Sequence, residues 1–264
     1  ASFSASPLDA RGNPAPSLNV SWTSSDTAVA GIDASGLATA IGPGRCSITA
    51  TVGGVSAEAK LLAFPAVEGP EPSPQVGTFY YGWYGNPQFD GRWIHWDYPG
   101  LSFFPPEDIA SDYYPFLGAY SSKDPLVLAR QMAWTRQAGI GVLVASWHGR
   151  NETLDENMPF LLDAAATYGI KVAFHIEPYH GRSDTRLVED VQYIYDRFGS
   201  HPAFFRTNAS SKWDLDDQPK GLFFLFAPHV REFYCSGGCE VEPEYWRGAM
   251  DALHALPGGA LVIA

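Results

Sequence analysis

Residues 173–182, AFHIEPYHGR, set a single glutamate, Glu177, between His175 and His180. A carboxylate beside imidazoles can move protons, accept hydrogen bonds from hydroxyl groups or ligate a metal. Three roles therefore stand open for Glu177: a catalytic carboxylate, a metal triad with His175 and His180, or an ion pair with Arg182 that holds the loop. The triad lacks the His-x-x-x-His helical spacing of zinc hydrolases. Three other stretches carry comparable groups. SWHGRNE has Trp147 and His148, and FAPHVREFY has His229. YYGWYGNPQFDGRWIHWDYPG has Tyr81, Trp83, Asp90, His95 and Asp97 in a span that reads as too polar for core. Sugar rings present an apolar face and a rim of hydroxyls, so aromatic platforms flanked by carboxylates and imidazoles suit a saccharide. For Trp147 and His148 the alternative is packing beneath a rim. His201, in a loop, and His254, on a polar helix face, read as structural.

These groups need elements to position them. From residue 77 onward continuous apolar runs alternate with amphipathic ones. Strands are expected at GTFYYGWY (77–84), IGVLVASW (140–147), KVAFHIEPY, GLFFLFAP and GALVIA. Helices are expected at DPLVLARQMAWTRQAG (124–139), ENMPFLLDAAATYG, TRLVEDVQYIYDRFG and PEYWRGAMDALHAL. Apolar strands alternating with amphipathic helices mean parallel β/α units covered on both faces. In a (β/α) barrel the strand C-terminal ends carry function, and each chemical stretch above follows a strand. Alternation along KVAFHIEPY sends Ala173, His175 and Glu177 to the barrel interior and Val172, Phe174 and Ile176 to the helices. Pro178 ends the strand and leaves Glu177 at its tip.

A formal net charge of −12 disfavours sequence-independent binding to nucleic acid, and no apolar run approaches the ~20 residues of a membrane span. All aromatic residues except Phe3, Trp22 and Phe64, and all seven histidines, lie beyond residue 65. Cys235 and Cys239 in CSGGC are spaced for a disulfide or for two free thiols, and Cys46 stands apart. The sequons at Asn19, Asn151 and Asn208 matter only in a eukaryotic secretory pathway and are taken as chance.

Residues 1–63 differ in kind, being rich in Ser, Thr, Ala and Gly, with period-two alternation and turn signals at short intervals. That is the pattern of a β-sandwich. The run VSWTSSDTAVAGIDASGLATAIGPGRCSITATVGG resembles the bacterial Ig-like group 2 domain. The resemblance implies Trp22 in the sandwich core, Gly36 and Gly44 at turns, and a first strand that the chain lacks. Residues 64–76, Pro-rich and without apolar periodicity, read as an extended linker before a partial barrel over 77–264.

The segments GTFYYGWYGNPQFDGRWIHWDYP, DIASDYYPFLGAYSSKDP, MAWTRQAGIGVLVASWHG, LDENMPFLLDAAATYGIKVAFHIEPYHGR and VQYIYDRFGSHPAFFR resemble glycoside hydrolase family 99, the endo-α-mannosidases and endo-α-mannanases. The resemblance is dense over 77–206. It implies a (β/α)8 barrel that cleaves α-mannosyl linkages internally with retention, without metal or organic cofactor. It also implies that one carboxylate deprotonates the sugar 2-hydroxyl, which attacks the anomeric carbon, while a second acts as acid and then base. By motif position Tyr81, Trp83 and the GNPQFDG loop shape the mannose site, Trp147 lines it, and Glu177 and Tyr179 bind sugar hydroxyls. The two principal glutamates of that family lie three apart in an Asn-Glu-Trp-His-Glu-type run, which does not occur here. Glu242 and Glu244 are two apart and do not match. The expectation is thus a fragment with about three of the β/α units absent, inactive on mannan alone and weakened by an open sheet edge. The Ig-like module and a polysaccharide substrate point to a secreted, cell-surface or periplasmic enzyme, and Glu177 is expected to be a supporting carboxylate. The competing expectations are an adhesin-like carbohydrate-binding protein with a non-catalytic barrel, and a hydrolase of different sugar specificity.

Overall fold

The computed structural model of the chain describes residues 1–15, 19–67, 69–98, 100–207, 218–231 and 240–264. Two compact units result, Ala1–Val67 and Glu68–Ala264. The CSGGC pair lies outside the described residues.

In the first unit β1 (Ser21–Ser24), β4 (Gly44–Val52) and β5 (Val55–Ala63) form an antiparallel sheet in the order β1-β4-β5, and β2 (Ala30–Ile32) pairs with β3 (Ala38–Ala40). Period-two alternation in β4 buries Cys46, Ile48 and Ala50. Cys46 and Ile48 pack with Val29, Ala30, Ala38 and Ala63, and Phe3 and Trp22 close the cluster. Cys46 is a free, buried thiol. Gly36 has φ +83°, and a Cβ there would stand 2.5 Å from the Phe3 carbonyl oxygen and 3.1 Å from the Trp22 ring. Both the left-handed backbone and the close approach require glycine.

The second unit holds β6 (Ser73–Tyr80), α1 (Pro87–Asp90), α2 (Pro125–Gln137), β7 (Ile140–Trp147), α3 (Thr153–Thr167), β8 (Lys171–Ile176), α4 (Asp184–Phe198), β9 (Arg206–Thr207), β10 (Lys220–Leu225), α5 (Arg247–His254) and β11 (Ala260–Ile263). Its sheet runs β11-β10-β8-β7-β6 with every neighbouring pair parallel, and β9 adds antiparallel to β10. Each strand lies beside the next parallel strand of the chain, which is the winding of a (β/α) barrel rather than of a doubly wound sheet. The barrel does not close among the described residues, so β6 and β11 are edges.

Composition assigns residues 73–76 to the linker, yet they join β6. Ser73 opposes Ile140 and Gly77 opposes Val142, so β6 bulges past β7. Pro74 cannot donate to a ladder, and an edge strand is where a proline is tolerated. β6 stops at Tyr80 rather than at 84, and Asn157 of α3 donates to the Gly82 carbonyl (2.8 Å), holding the departing chain. Helix starts follow local chemistry. Asp124 accepts from the Leu126 amide (2.8 Å) with Pro125 at the first turn of α2, and Ser183 accepts from the Arg186 amide (3.1 Å) at α4.

Parallel register puts opposed residues on one face. Phe79 opposes Val144, Val144 opposes Ala173, Ser146 opposes His175, and His175 opposes Phe224. On the other face Phe174 packs against Phe198 of α4, Phe204 and Phe223, all three pairs with ring centroids within 6.3 Å. Truncating Phe174, which is fully buried, to alanine would cost about 3–5 kcal/mol. Gly36→Ala in the first unit should cost about 2 kcal/mol. Hydrogen exchange should then show faster exchange of the β4 amides with β7 and β8 unaffected.

Candidate active site

The first residue after each of four strands lines one cavity: Tyr81 after β6, His148 after β7, Glu177 after β8 and Phe226 after β10. The cavity measures about 1090 Å³ and also takes in Trp83, His95, Arg150, Glu152, Tyr179, His180 and Arg186. Alternation makes the core of this assembly, because Tyr81, His148, Glu177 and Phe226 each continue the face that carries Phe79, Ser146, His175 and Phe224.

Three rings build a platform on the β6 side. Trp83 stacks on His95 at 5.1 Å and 22°, and Tyr81 lies 4.8 Å from Trp83. His95 has φ +61°, uncommon for a residue with a Cβ, and paired backbone hydrogen bonds between Gly85 and Ile94 (3.0 and 3.1 Å) hold the loop that imposes it. Burial holds His95 below the ordinary imidazole pKa, against an opposing pull from Asp97. Across the cavity His148 lies 6.0 Å from Trp83. Burial lowers its pKa as well, although Glu177 and Glu152 pull upward.

Glu177 is only 5% exposed. Its Oε1 accepts from Ser146 Oγ (2.7 Å) and lies 3.2 Å from His175 Nδ1. His175 is itself wedged between Phe79 and Phe226, with ring centroids 4.9 and 5.0 Å away. Burial pushes the Glu177 carboxyl up, but hydrogen bonds from His175 and Ser146 and the charges of His175 and His148 outweigh it, leaving the pKa below its ordinary 4.5. Glu177 is therefore ionised at neutral pH. It can accept from a hydroxyl or act as a base, and it is the wrong species for a proton donor.

Four sequence-derived site residues do not line the cavity: His175, 5% exposed, sits beneath it against Glu177, and Trp147, Arg182 and Asp90 are engaged elsewhere. Trp147 is fully buried on the helix side, donating to Asp155 Oδ1 (3.0 Å). It is the last residue of β7, so alternation turns it away from the face that His148 joins. Arg182 is 1% exposed and is consumed by backbone. It donates to the carbonyls of Ile176, Phe226, Ala227, Val230 and Arg231 and sits 5.4 Å over the Trp246 ring. Burial pushes its pKa down to about 10, still cationic at neutral pH. It thus ties the loop after β8 to the loop after β10, and its partners are carbonyls rather than the Glu177 carboxylate. Asp90, its side chain 1% exposed, closes the α1 turn by accepting from the Asn86 amide (3.0 Å) and lies 3.4 Å from Lys123 Nζ. The stretch around it is less polar in place than in sequence. Trp96 is 2% exposed, stacks on Tyr84 at 4.1 Å and donates to the Tyr120 carbonyl (2.7 Å). Tyr179 does line the cavity. Its hydroxyl donates to Asp190, and burial together with that carboxylate pushes its pKa up.

Sequence reasoning passed over Ser146, Asp155 and Asp190. Ser146 was legible from alternation, being two residues before His148 in β7. The aspartates lie in helices, where carboxylates are ordinary surface residues, and nothing local marks them as buried. His180 lines the cavity, but among the described residues no group of three or more His, Cys, Asp or Glu side chains is placed to hold a metal ion. Likewise no described helix is long and apolar enough to cross a membrane.

Ser146→Ala should raise the Glu177 pKa, since burial would then meet less opposition. A folded-state value below 4.5 means that Glu177 stabilises the fold above that pH and loses the contribution as pH falls through the folded value. Carbon-detected titration of the Glu177 carboxyl checks the shift, and the variant should unfold at higher pH on acid titration.

Comparison with known proteins places this geometry. Residues 2–62 match the bacterial Ig-like domain (group 2), and residues 73–232 match glycosyl hydrolase family 99. The chain is 45% identical over 173 residues to glycoprotein endo-alpha-1,2-mannosidase of Mus musculus, covering 58% of this chain and 36% of that protein. It is 39% identical over 191 residues to the Xenopus laevis protein of the same name, covering 65% and 41%. The solved GH99 endo-alpha-mannosidase from Bacteroides thetaiotaomicron superposes with a TM-score of 0.50 at 40% identity, covering 58% of this chain and 45% of that one. The chain thus spans roughly two fifths of the length of these curated relatives. A family match that extends over more than half of its residues, and that contains the whole cavity, shows that the chain belongs to glycosyl hydrolase family 99.

Proposed function

We propose that this chain is the substrate-binding half of a retaining, endo-acting glycoside hydrolase for α-mannosidic linkages, exported and carrying an Ig-like accessory module. The observation that carries the proposal is the cavity in which the Trp83–His95–Tyr81 platform stands opposite an ionised Glu177 at the C-terminal strand ends. A pyranose lays its apolar face on such rings and directs hydroxyls to the carboxylate. The names of the relatives, endo-alpha-1,2-mannosidase and endo-alpha-mannosidase, support mannose as the sugar.

Glycoside cleavage with retention needs two carboxyl groups at one sugar, one of them protonated to assist the leaving group. Glu177 is held in the ionised state and so fits hydroxyl binding and charge support. Oε1 already serves Ser146 and His175, and Oε2 has the acceptor capacity that a sugar hydroxyl would use. The principal acid/base pair would lie in an Asn-Glu-Trp-His-Glu-type run, which is absent from these 264 residues. Turnover is then a property of the completed barrel, and the residues present supply the binding half. The preformed platform also fits a protein that binds mannosides without cleaving them.

Incubation of the 264-residue chain with α-1,2-linked mannan, α-1,3-linked mannan and a glucosylated high-mannose glycan, followed by product analysis, should show binding without released oligosaccharide. Turnover by this chain would overturn the assignment of the acid/base pair elsewhere. Glu177→Gln should weaken binding of an α-mannoside about tenfold, the scale of one hydrogen bond to a charged group.

A further inference from the structure

Four residues of α4, Arg186, Asp190, Tyr193 and Arg197, recur at helical spacing along one stripe. The stripe meets the loop that leaves β7. Asp190 is fully buried and lies 2.6 Å from Arg150 Nε and 3.3 Å from Arg186 Nε, while its second oxygen accepts from the Tyr179 hydroxyl. Tyr193 and Arg197 donate to Asp155 (2.7 and 3.2 Å), which also takes the Trp147 indole and the Asn151 amide. Arg150 lies in the loop after β7 with His148, and Tyr179 in the loop after β8 with Glu177. The two loops touch at Gly149, where a Cβ would lie 3.2 Å from the Tyr179 ring.

We propose that Asp190 is a positioning residue for the pocket: one buried carboxylate on α4 locks Tyr179 of the Glu177 loop to Arg150 of the His148 loop and so sets the spacing between His148 and Glu177. Asp190→Asn keeps one acceptor oxygen but loses the second and the charge, so it no longer holds Arg150 and Tyr179 together. The Arg150 guanidinium, already 24% exposed and 3.9 Å from Glu189, then turns toward water and that partner. The loops then part and the cavity wall opens. With respect to sugar binding the proposal rests on the function proposed above; with respect to loop geometry it does not.

The test uses the full chain and a readout separate from sugar. His148 is held below the ordinary imidazole value by burial first, with Glu177 and Glu152 pulling up and His95 and His175 pushing down. All of these groups remain in Asp190→Asn. If Asp190 positions the loops, their parting hydrates His148, and its NMR titration rises toward the ordinary 6.5. Loss of a nearby negative charge alone acts in the opposite direction, so an unmoved or lowered value overturns the proposal. Tyr179→Phe, which deletes only one hydroxyl, should move His148 the same way by less, and the double variant should add little to Asp190→Asn. Where Asp190→Asn fails to fold, an unmoved His148 in Tyr179→Phe overturns the proposal. In a second arm, the affinity for α-1,3-mannobiose should fall about tenfold in Asp190→Asn. Unchanged affinity in a protein that binds the disaccharide removes Asp190 from sugar positioning. A wild-type chain that binds no mannoside sinks the sugar reading, while the His148 titration still decides the role of Asp190.

Discussion

The site depends on one constraint, the parallel register of β6, β7, β8 and β10. Parallel neighbours place opposed residues on the same face, so the strands need only be aligned for alternate residues of each to share a surface. Phe79, Ser146, His175 and Phe224 occupy that surface, and one further step along each strand brings Tyr81, His148, Glu177 and Phe226 together above it. A slip of one residue in any strand would exchange its pocket residue for a core residue. For β7 it would bring Trp147 into the pocket and put His148 under the helices. For β8 and β10 the packed Phe174–Phe198–Phe204–Phe223 cluster on the opposite face opposes such a slip with about 3–5 kcal/mol of lost burial.

Register delivers the strand ends, but loops must be held by other means, and here buried charge does the holding. Arg182 gathers the carbonyls of the β10 exit, Asp155 and Asp190 gather the β7 exit, and Asp90 closes the turn after β6. Each of these groups is almost wholly out of water, where an unmet charge is costly and a met one is rigid. The consequence reaches Glu177, whose carboxylate stays ionised in a buried place because Ser146 and His175 stand ready on the same face. Placement and protonation state thus have one structural origin.

Much of this was legible in the sequence, and the misses have physical reasons. The five parallel strands, four of the helices and the position of Glu177 follow from apolar periodicity and from alternation in KVAFHI. The same alternation, applied to ASWH, separates Trp147 from His148; taking both as pocket residues ignored the period of two. Arg182 and Asp90 carry charges that are typical of ligand sites, and no sequence property distinguishes a charge aimed at backbone from one aimed at substrate. The early start of β6 escaped because prolines signal a linker unless the strand is known to be an edge, and edges are fixed by tertiary order. Asp155 and Asp190 are invisible for a related reason: a helix stripe of Arg, Asp, Tyr and Arg reads as a solvated face until the β7 loop is laid across it.

On the proposed function, the post-strand residues of one sheet face form a sugar platform around Trp83, with Trp147 behind it. Indole N–H spectra of the chain, recorded during titration with an α-linked mannobiose, test this most directly, because the two tryptophans report opposite sides of the same wall. The Trp83 signal should move most and saturate with the sugar, while Trp147 and Trp22 stay near their starting positions. Movement centred on Trp147 or Trp22, or a Trp83 signal that does not respond, would contradict it.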